Sequence, residues 1–177
     1  FIPDRFSDIR GFFFESWNEK TFNDIISKKV TFVQDNHSLS FYGVLRGLHF
    51  QKEPNAQGKL IRVVRGKILD IIVDLRVNSN TFKEWKSIVL SKRNRRQLWV
   101  PEGFAHGFIT LTGEAEINYK TTNFWNKESE RTLLWSDNNL NINWRLKDLK
   151  IGSPIVSQKD SRGNTLKYLY DKGDLFK

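Results

Sequence analysis

At 177 residues the chain has the length of one domain, and its 38% hydrophobic and 14% aromatic residues supply a core, which excludes a disordered polypeptide. There is no Cys, so disulfides, thiolate chemistry and cysteine-held metals are excluded, and no apolar run approaches the roughly 20 residues that span a bilayer. The net charge of +9 sets up a field that attracts anions, whether nucleic acid or a phosphorylated small molecule.

In chain order, a short helix is predicted near Glu19–Ser27, where Phe22, Ile25 and Ile26 share a face. Segments rich in β-branched and aromatic residues follow and are predicted as strands: Thr31-Phe32-Val33, Lys59–Val64, Ile68–Leu75, Trp85–Leu90, Gln97–Val100, Gly107–Leu111 and Ala115–Tyr119. They recur every 8–12 residues or so, the spacing of an all-β sandwich or barrel. Arg65-Gly66-Lys67 and Thr112-Gly113-Glu114 read as hairpin turns. Lys92-Arg93-Asn94-Arg95-Arg96 reads as a solvated hairpin loop. No nucleic-acid signature accompanies this basic run, which favours a small anionic ligand over nucleic acid. The run Ile68–Asp74 is aliphatic on both sides of Asp70, as in a strand covered on both faces, whether by a second sheet or by a second subunit. The more polar tail after Trp144 is expected to wrap the outside, and residues 1–177 are expected to form one antiparallel β domain. The lack of Cys and of a visible targeting segment fits a cytoplasmic protein. The chain opens at Phe1 and has no Met, so its natural start is expected outside this numbering, and a lost leader stays open.

The histidines are His37, His49 and His106. Metal-binding jelly rolls usually place two His one residue apart on a strand, and no His-x-His occurs, so no metal is expected. His49 lies between apolar residues, as either a hydrogen-bonded core side chain or a base. Arg46 and Lys59 nearby suit an anionic substrate, the guanidinium for phosphate and the ammonium for developing negative charge. His106 reads as part of a tight aromatic corner or as a site residue, and Tyr119 as a strand aromatic or a proton donor. These residues suit proton transfer on a phosphorylated substrate, and spacing alone goes no further.

The segments Arg10–Ser16, Val33–Ser38, Val44–Gln51, Asn55–Leu60, Gln97–Phe108, Tyr119–Asn123 and Trp135-Ser136-Asp137 resemble, in this order, the dTDP-4-dehydrorhamnose 3,5-epimerase family. The likeness runs from Arg10 to about Trp144 and more weakly through Ser157–Asp160; the short strand with which the family usually begins is absent. The resemblance implies a double-stranded β-helix jelly roll of the cupin kind with short peripheral helices, no metal and no cofactor, working as a homodimer. It also implies a nucleoside diphosphate 4-keto-6-deoxy sugar as substrate and a place in surface-polysaccharide synthesis. No membrane or nucleic-acid partner is expected. By the same resemblance His49 is the base, Asp160 the carboxylate orienting it, Lys59 the cation at the enolate oxygen and Tyr119 the acid on the opposite face. Arg46 and His106 hold substrate, and Gln34, Asp35 and Asn36 line the same pocket. Arg10 and Glu15 match nucleotide contacts reaching over from the dimer partner, and Glu130 and Lys159 match further binding positions. Trp125 stands where the family commonly has a Tyr over the thymine, so a purine nucleotide enters as an alternative, with C3-only epimerases, enzymes of GDP-linked 4-keto heptoses and non-catalytic binding modules.

Overall fold

The computed structural model describes residues 1–177. A small hairpin, β1 (Phe6–Asp8) and β2 (Gly11–Phe13), leads into helix α1 (Glu19–Ile26). The strands that follow are β3 (Gln34–Phe41), β4 (Leu45–Gln51), β5 (Lys59–Arg65), β6 (Lys67–Asp74), β7 (Trp85–Ser91), β8 (Gln97–Val100), β9 (Phe104–Thr110), β10 (Glu114–Thr121) and β11 (Glu130–Thr132). The chain ends in two short helices, α2 (Gln158–Ser161) and α3 (Leu166–Asp171).

The larger strands form two antiparallel sheets, a four-stranded one in the order β3-β10-β5-β8 and a five-stranded one in the order β11-β4-β9-β6-β7. From β3 onward every connection except β6–β7 carries the chain from one sheet to the other, which is the jelly-roll winding. The turns expected as hairpins therefore take a different role. Arg65-Gly66-Lys67, Thr112-Gly113-Glu114 and Lys92–Arg96 are corners between sheets, because the strands on either side pair with other partners. Two of these corners interlock. Lys67 N–H donates to Thr112 Oγ1 at 3.0 Å, and a side chain on Gly66, which sits at φ 75°, would run into the Glu114 carbonyl.

α1 matches its expected span, with Asn18 capping it through a bond from Thr21 N–H at 3.0 Å and Ser27 ending it in the left-handed region. Phe22 is buried with Val30 and Leu60, and Ile26 packs beside them with Trp17, Phe32 and Trp99, fixing the helix to the outer face of the four-stranded sheet. Ile25, expected on that face, is exposed. Thr31–Val33 precedes the strand, which begins at Gln34, with Val33 N–H donating to the Thr121 carbonyl at 2.9 Å.

β6 is covered on both faces, by elements of its own chain. Ile68 joins the layer between the sheets, while Leu69, Ile71 and Val73 face Leu140, Trp144, Leu166, Leu169 and Phe176. The tail lies outside the strands, as its polarity suggests, and still buries these apolar side chains, each contributing roughly 1.5–3 kcal/mol. A second subunit is not needed to explain that strand. No helix is long and apolar enough to cross a membrane.

Candidate active site

Strand periodicity and one bulge decide which side chains meet between the sheets. On β10, Tyr119 faces inward, and it is in register with Asn36 of β3 and Ile61 of β5. On β4 the register against β9 slips between Arg46 and His49, so both turn toward the facing sheet, His49 to line the cavity, while Leu48 and Phe50 enter the core behind. Gly47 makes the slip possible: its φ is 114°, and a Cβ there would lie 2.7 Å from Gly107 Cα and the His106 carbonyl. The inner face encloses a cavity of about 120 Å³ lined by Gln34, Asn36, His49, Lys59, Tyr119 and Glu130, with Trp125 at its edge.

His49 Nε2 and Asp160 Oδ1 are 2.6 Å apart, leaving Nδ1 as the nitrogen not engaged by the carboxylate. Asp160 is buried at the start of α2, where Ser157 Oγ accepts from its N–H at 3.1 Å and its Oδ2 accepts from Gly47 N–H at 3.2 Å. Burial pushes the His49 imidazole below the ordinary histidine value, against the opposing hydrogen bond and charge of Asp160, which favours the neutral ring. Burial works to raise the Asp160 carboxyl. The His49 hydrogen bond and charge, the Gly47 N–H and the nearby Lys159 outweigh it and hold the group ionised.

Lys59 comes from β5, with its Nζ donating to the His49 carbonyl at 3.3 Å. Burial lowers its ammonium to about 8, Glu130 and Asp70 pull it back up, and Lys159 adds to the lowering. The Tyr119 phenol is raised by burial, with Arg46 opposing and Glu130 assisting, so it keeps its proton at neutral pH. Glu130 pairs with Lys159 at 2.6 Å. Arg46 is held across the sheets by Ser40 Oγ at 2.9 Å and the Leu39 carbonyl at 3.2 Å.

His106 lies opposite His49 on β9, and its Nε2 is 3.0 Å from Oδ2 of Asp70, which is wholly buried. Burial raises the Asp70 carboxyl against the opposing charge of His106. Asp70 is a site residue that sequence reasoning passed over. A carboxylate within an aliphatic strand was the available signal, because a buried acid needs a partner. Gln51 was missed too. Its side chain accepts from Asn126 N–H at 2.7 Å and donates to the Phe124 carbonyl at 3.1 Å, while Gln34 accepts from Trp125 N–H at 3.0 Å. Together they fix the loop that presents Trp125, a residue 56% exposed.

Asp35 is the correction among the expected pocket residues. Alternation along β3 turns it to the outer face of the sheet, where it pairs with Lys120 at 2.9 Å, while Gln34 and Asn36 line the cavity. His37 lies on that outer face as well. Arg10 bonds Asp8 in the β1–β2 hairpin and Glu15 lines a different cavity, so neither meets His49 within one chain. No cluster of three or more His, Cys, Asp or Glu is arranged to hold a metal.

Inside a jelly roll, a carboxylate-paired imidazole, a buried ammonium and a phenol can remove a carbon-bound proton, hold the resulting charge and return a proton from another direction, which is isomerase chemistry. The chain belongs to the dTDP-4-dehydrorhamnose 3,5-epimerase family, which it matches over residues 1–168. It is 54% identical over 163 residues to the dTDP-4-dehydrorhamnose 3,5-epimerase of Shigella flexneri, covering 92% of this chain and 87% of that one. The crystal structure of dTDP-6-deoxy-D-glucose-3,5-epimerase from Legionella pneumophila Philadelphia 1, in complex with dTDP-4-keto-L-rhamnose, superposes with a TM-score of 0.92. It is 40% identical, covering 99% of this chain and 90% of that one. A 3'-monoepimerase from Streptomyces bikiniensis in complex with dTDP-quinovose superposes with a TM-score of 0.90 at 28% identity, covering 98% of this chain and 85% of that one.

Proposed function

We propose that the chain inverts C3 and C5 of dTDP-4-dehydro-6-deoxy-glucose to give dTDP-4-dehydro-rhamnose, with His49 as the base and Tyr119 as the acid. The C4 ketone acidifies the hydrogens on C3 and C5, because each carbanion delocalises onto O4. His49 Nδ1 takes the proton, the C–H electron pair moves into the enolate, and the imidazolium is held by Asp160. Lys59, protonated below about 8, donates to the enolate oxygen. Tyr119 then protonates the carbon from the opposite face, and solvent restores both groups before the second carbon reacts. Arg46, Lys159 and His106 hold the diphosphate and sugar, and Trp125 covers the base.

The observation that carries this reading is His49, held by Asp160 at 2.6 Å, lining the same cavity as Lys59 and Tyr119. The higher identity to 3,5-epimerases than to the 3'-monoepimerase favours inversion at both carbons. The homodimer belongs to the same proposal. Arg10 and Glu15 lie away from the cavity of their own chain, and Phe6, Ile9 and Phe13 in the hairpin that carries Arg10 are exposed, which supports the hairpin reaching a second copy. The working place of the enzyme is the cytoplasm. Proton NMR of the 4-keto sugar nucleotide turned over in deuterated water is the test. Deuterium at C3 and C5 of an inverted product supports the assignment; deuterium at C3 alone makes the chain a 3-epimerase; none at either carbon makes it a binding module.

A further inference from the structure

Trp135-Ser136-Asp137, a motif that the proton transfer leaves unused, ends in a carboxylate that is 3% exposed and forms no ion pair. Burying such a group is costly unless its oxygens find donors. Both do. Oδ1 accepts from Asn139 N–H at 2.8 Å, which closes a local turn. Oδ2 accepts from Leu166 N–H at 2.6 Å, across 29 residues of sequence. Leu166 is the first residue of α3, where a helix N–H has no partner within the helix. Thr165 caps the same end, its Oγ1 accepting from Tyr168 N–H at 3.2 Å.

Asp160 belongs to the tail and His49 to the sheet, so their 2.6 Å contact depends on how the tail is seated. α2 has four residues, too few to be stable by itself. On one side of Asp160, Lys159 is tethered to Glu130 at 2.6 Å. On the other, Asn164 runs beside the end of β11. Its N–H donates to the Thr132 carbonyl and its carbonyl accepts from Leu134 N–H, both at 2.8 Å. Thr132 is in register with His49, so this stretch of tail is fixed to the strand next to the base. Gly163 passes so close that a Cβ there would lie 2.9 Å from the Leu134 backbone. Asp137 fastens the far end of the same stretch. Its own N–H donates to the Leu134 carbonyl at 3.1 Å, so the carboxylate ties the tail to the segment that Asn164 and Gly163 press against.

We propose that Asp137 is a positioning residue for the epimerisation, seating through Leu166 and Asn164 the segment that holds Asp160 against His49. This role presupposes Asp160 as the partner of the base. The test is Asp137→Asn, alone and combined with Asp160→Asn. An amide can accept from only one of the two N–H groups, while Leu166 and Leu169, both buried, keep α3 docked. Turnover is expected to fall about ten- to a hundredfold, as a misplacement of roughly 1 Å at a catalytic group can cost. Binding of dTDP, followed by tryptophan fluorescence, is expected to stay unchanged, because Asp137 lines no part of the His49 cavity. On the Asp160→Asn background the same change is expected to cost no more than about twofold, since two residues acting through one contact are not additive. Turnover within about twofold of the parent, or the same loss on both backgrounds, overturns the proposal. A loss of dTDP affinity as large as the loss of turnover marks a structural role alone and overturns it too. An Asp160→Asn protein as active as the parent overturns instead the reading of the site. Amide hydrogen exchange of the parent tests the coupling without any substitution. Leu166 N–H reports the bond to Asp137 and Gly47 N–H the bond to Asp160, and the two are expected to open as one cooperative unit. Gly47 staying protected while Leu166 exchanges freely contradicts the coupling.

Discussion

Replacing Asp160 by Asn changes one atom in a side chain that touches two donors. Oδ1 lies 2.6 Å from His49 Nε2 and Oδ2 accepts from Gly47 N–H at 3.2 Å. An amide can accept at only one of these positions. If its oxygen serves Gly47, its NH₂ faces His49 Nε2, which must then accept, so the ring proton moves to Nδ1 and blocks the nitrogen that takes the substrate proton. If its oxygen serves His49, two N–H groups oppose each other at Gly47. Either way the imidazolium loses the carboxylate charge. Loss of a general base typically costs about 10²–10⁴-fold. At 1.36 kcal/mol per tenfold, that is roughly 3–5 kcal/mol of transition-state stabilisation. The assay is the initial rate of deuterium uptake at C3 and C5, compared with the rate of inversion. Both are expected to fall together, because proton abstraction precedes both. A folded Asp160→Asn protein exchanging within a few-fold of the parent refutes the orienting role.

The pH dependence of turnover follows from two buried groups. Lys59 is needed protonated and sits at about 8, so activity is present below that pH and lost above it. His49 is needed neutral and lies below the ordinary histidine value of about 6.5, so activity persists to mildly acidic pH and then falls. A rate profile flat through the region around 8 contradicts the Lys59 assignment. Glu130→Gln removes the carboxylate that pulls Lys59 upward and is expected to move the alkaline midpoint lower; an unmoved midpoint counts against that coupling. Tyr119→Phe is expected to retain exchange, with His49 returning the proton to the original face, while inversion slows; equal loss of both means Tyr119 is not simply the acid. Trp125→Ala is expected to weaken dTDP binding a few-fold to tenfold, from about 0.5–1.5 kcal/mol of stacking. Fluorescence titration of the parent is expected to show dTDP bound more tightly than GDP, and the reverse order revives a purine nucleotide.

The strands legible from composition were those with apolar inward residues, such as β5, β6 and β10. β3 was missed because its inward positions, Gln34, Asn36, Ser38 and Ser40, are polar or small, so no alternation of apolar and polar residues marks it. β4 was missed because the slip at Gly47 breaks its period. Both line the cavity, where the demands of a polar site override the strand pattern. Glycine turns were visible but not their destination: Gly66 bends the chain equally well into a hairpin or from one sheet to the other. The pairing of His49 with Asp160 joins residues 111 positions apart and depends on a helix of four residues, which no local pattern signals. It was accessible only through resemblance. Asp70 was marked by its aliphatic neighbours as a buried acid, but its partner His106 lies on another strand, which no local pattern signals.

One base serving both carbons is the central claim, and His49→Ala measures it most directly. The variant is to be incubated with the 4-keto sugar nucleotide in deuterated water, its fold checked by circular dichroism, and deuterium followed at C3 and C5 by proton NMR. Loss of exchange at both carbons is expected. Continued exchange at either carbon, in a folded protein, contradicts it.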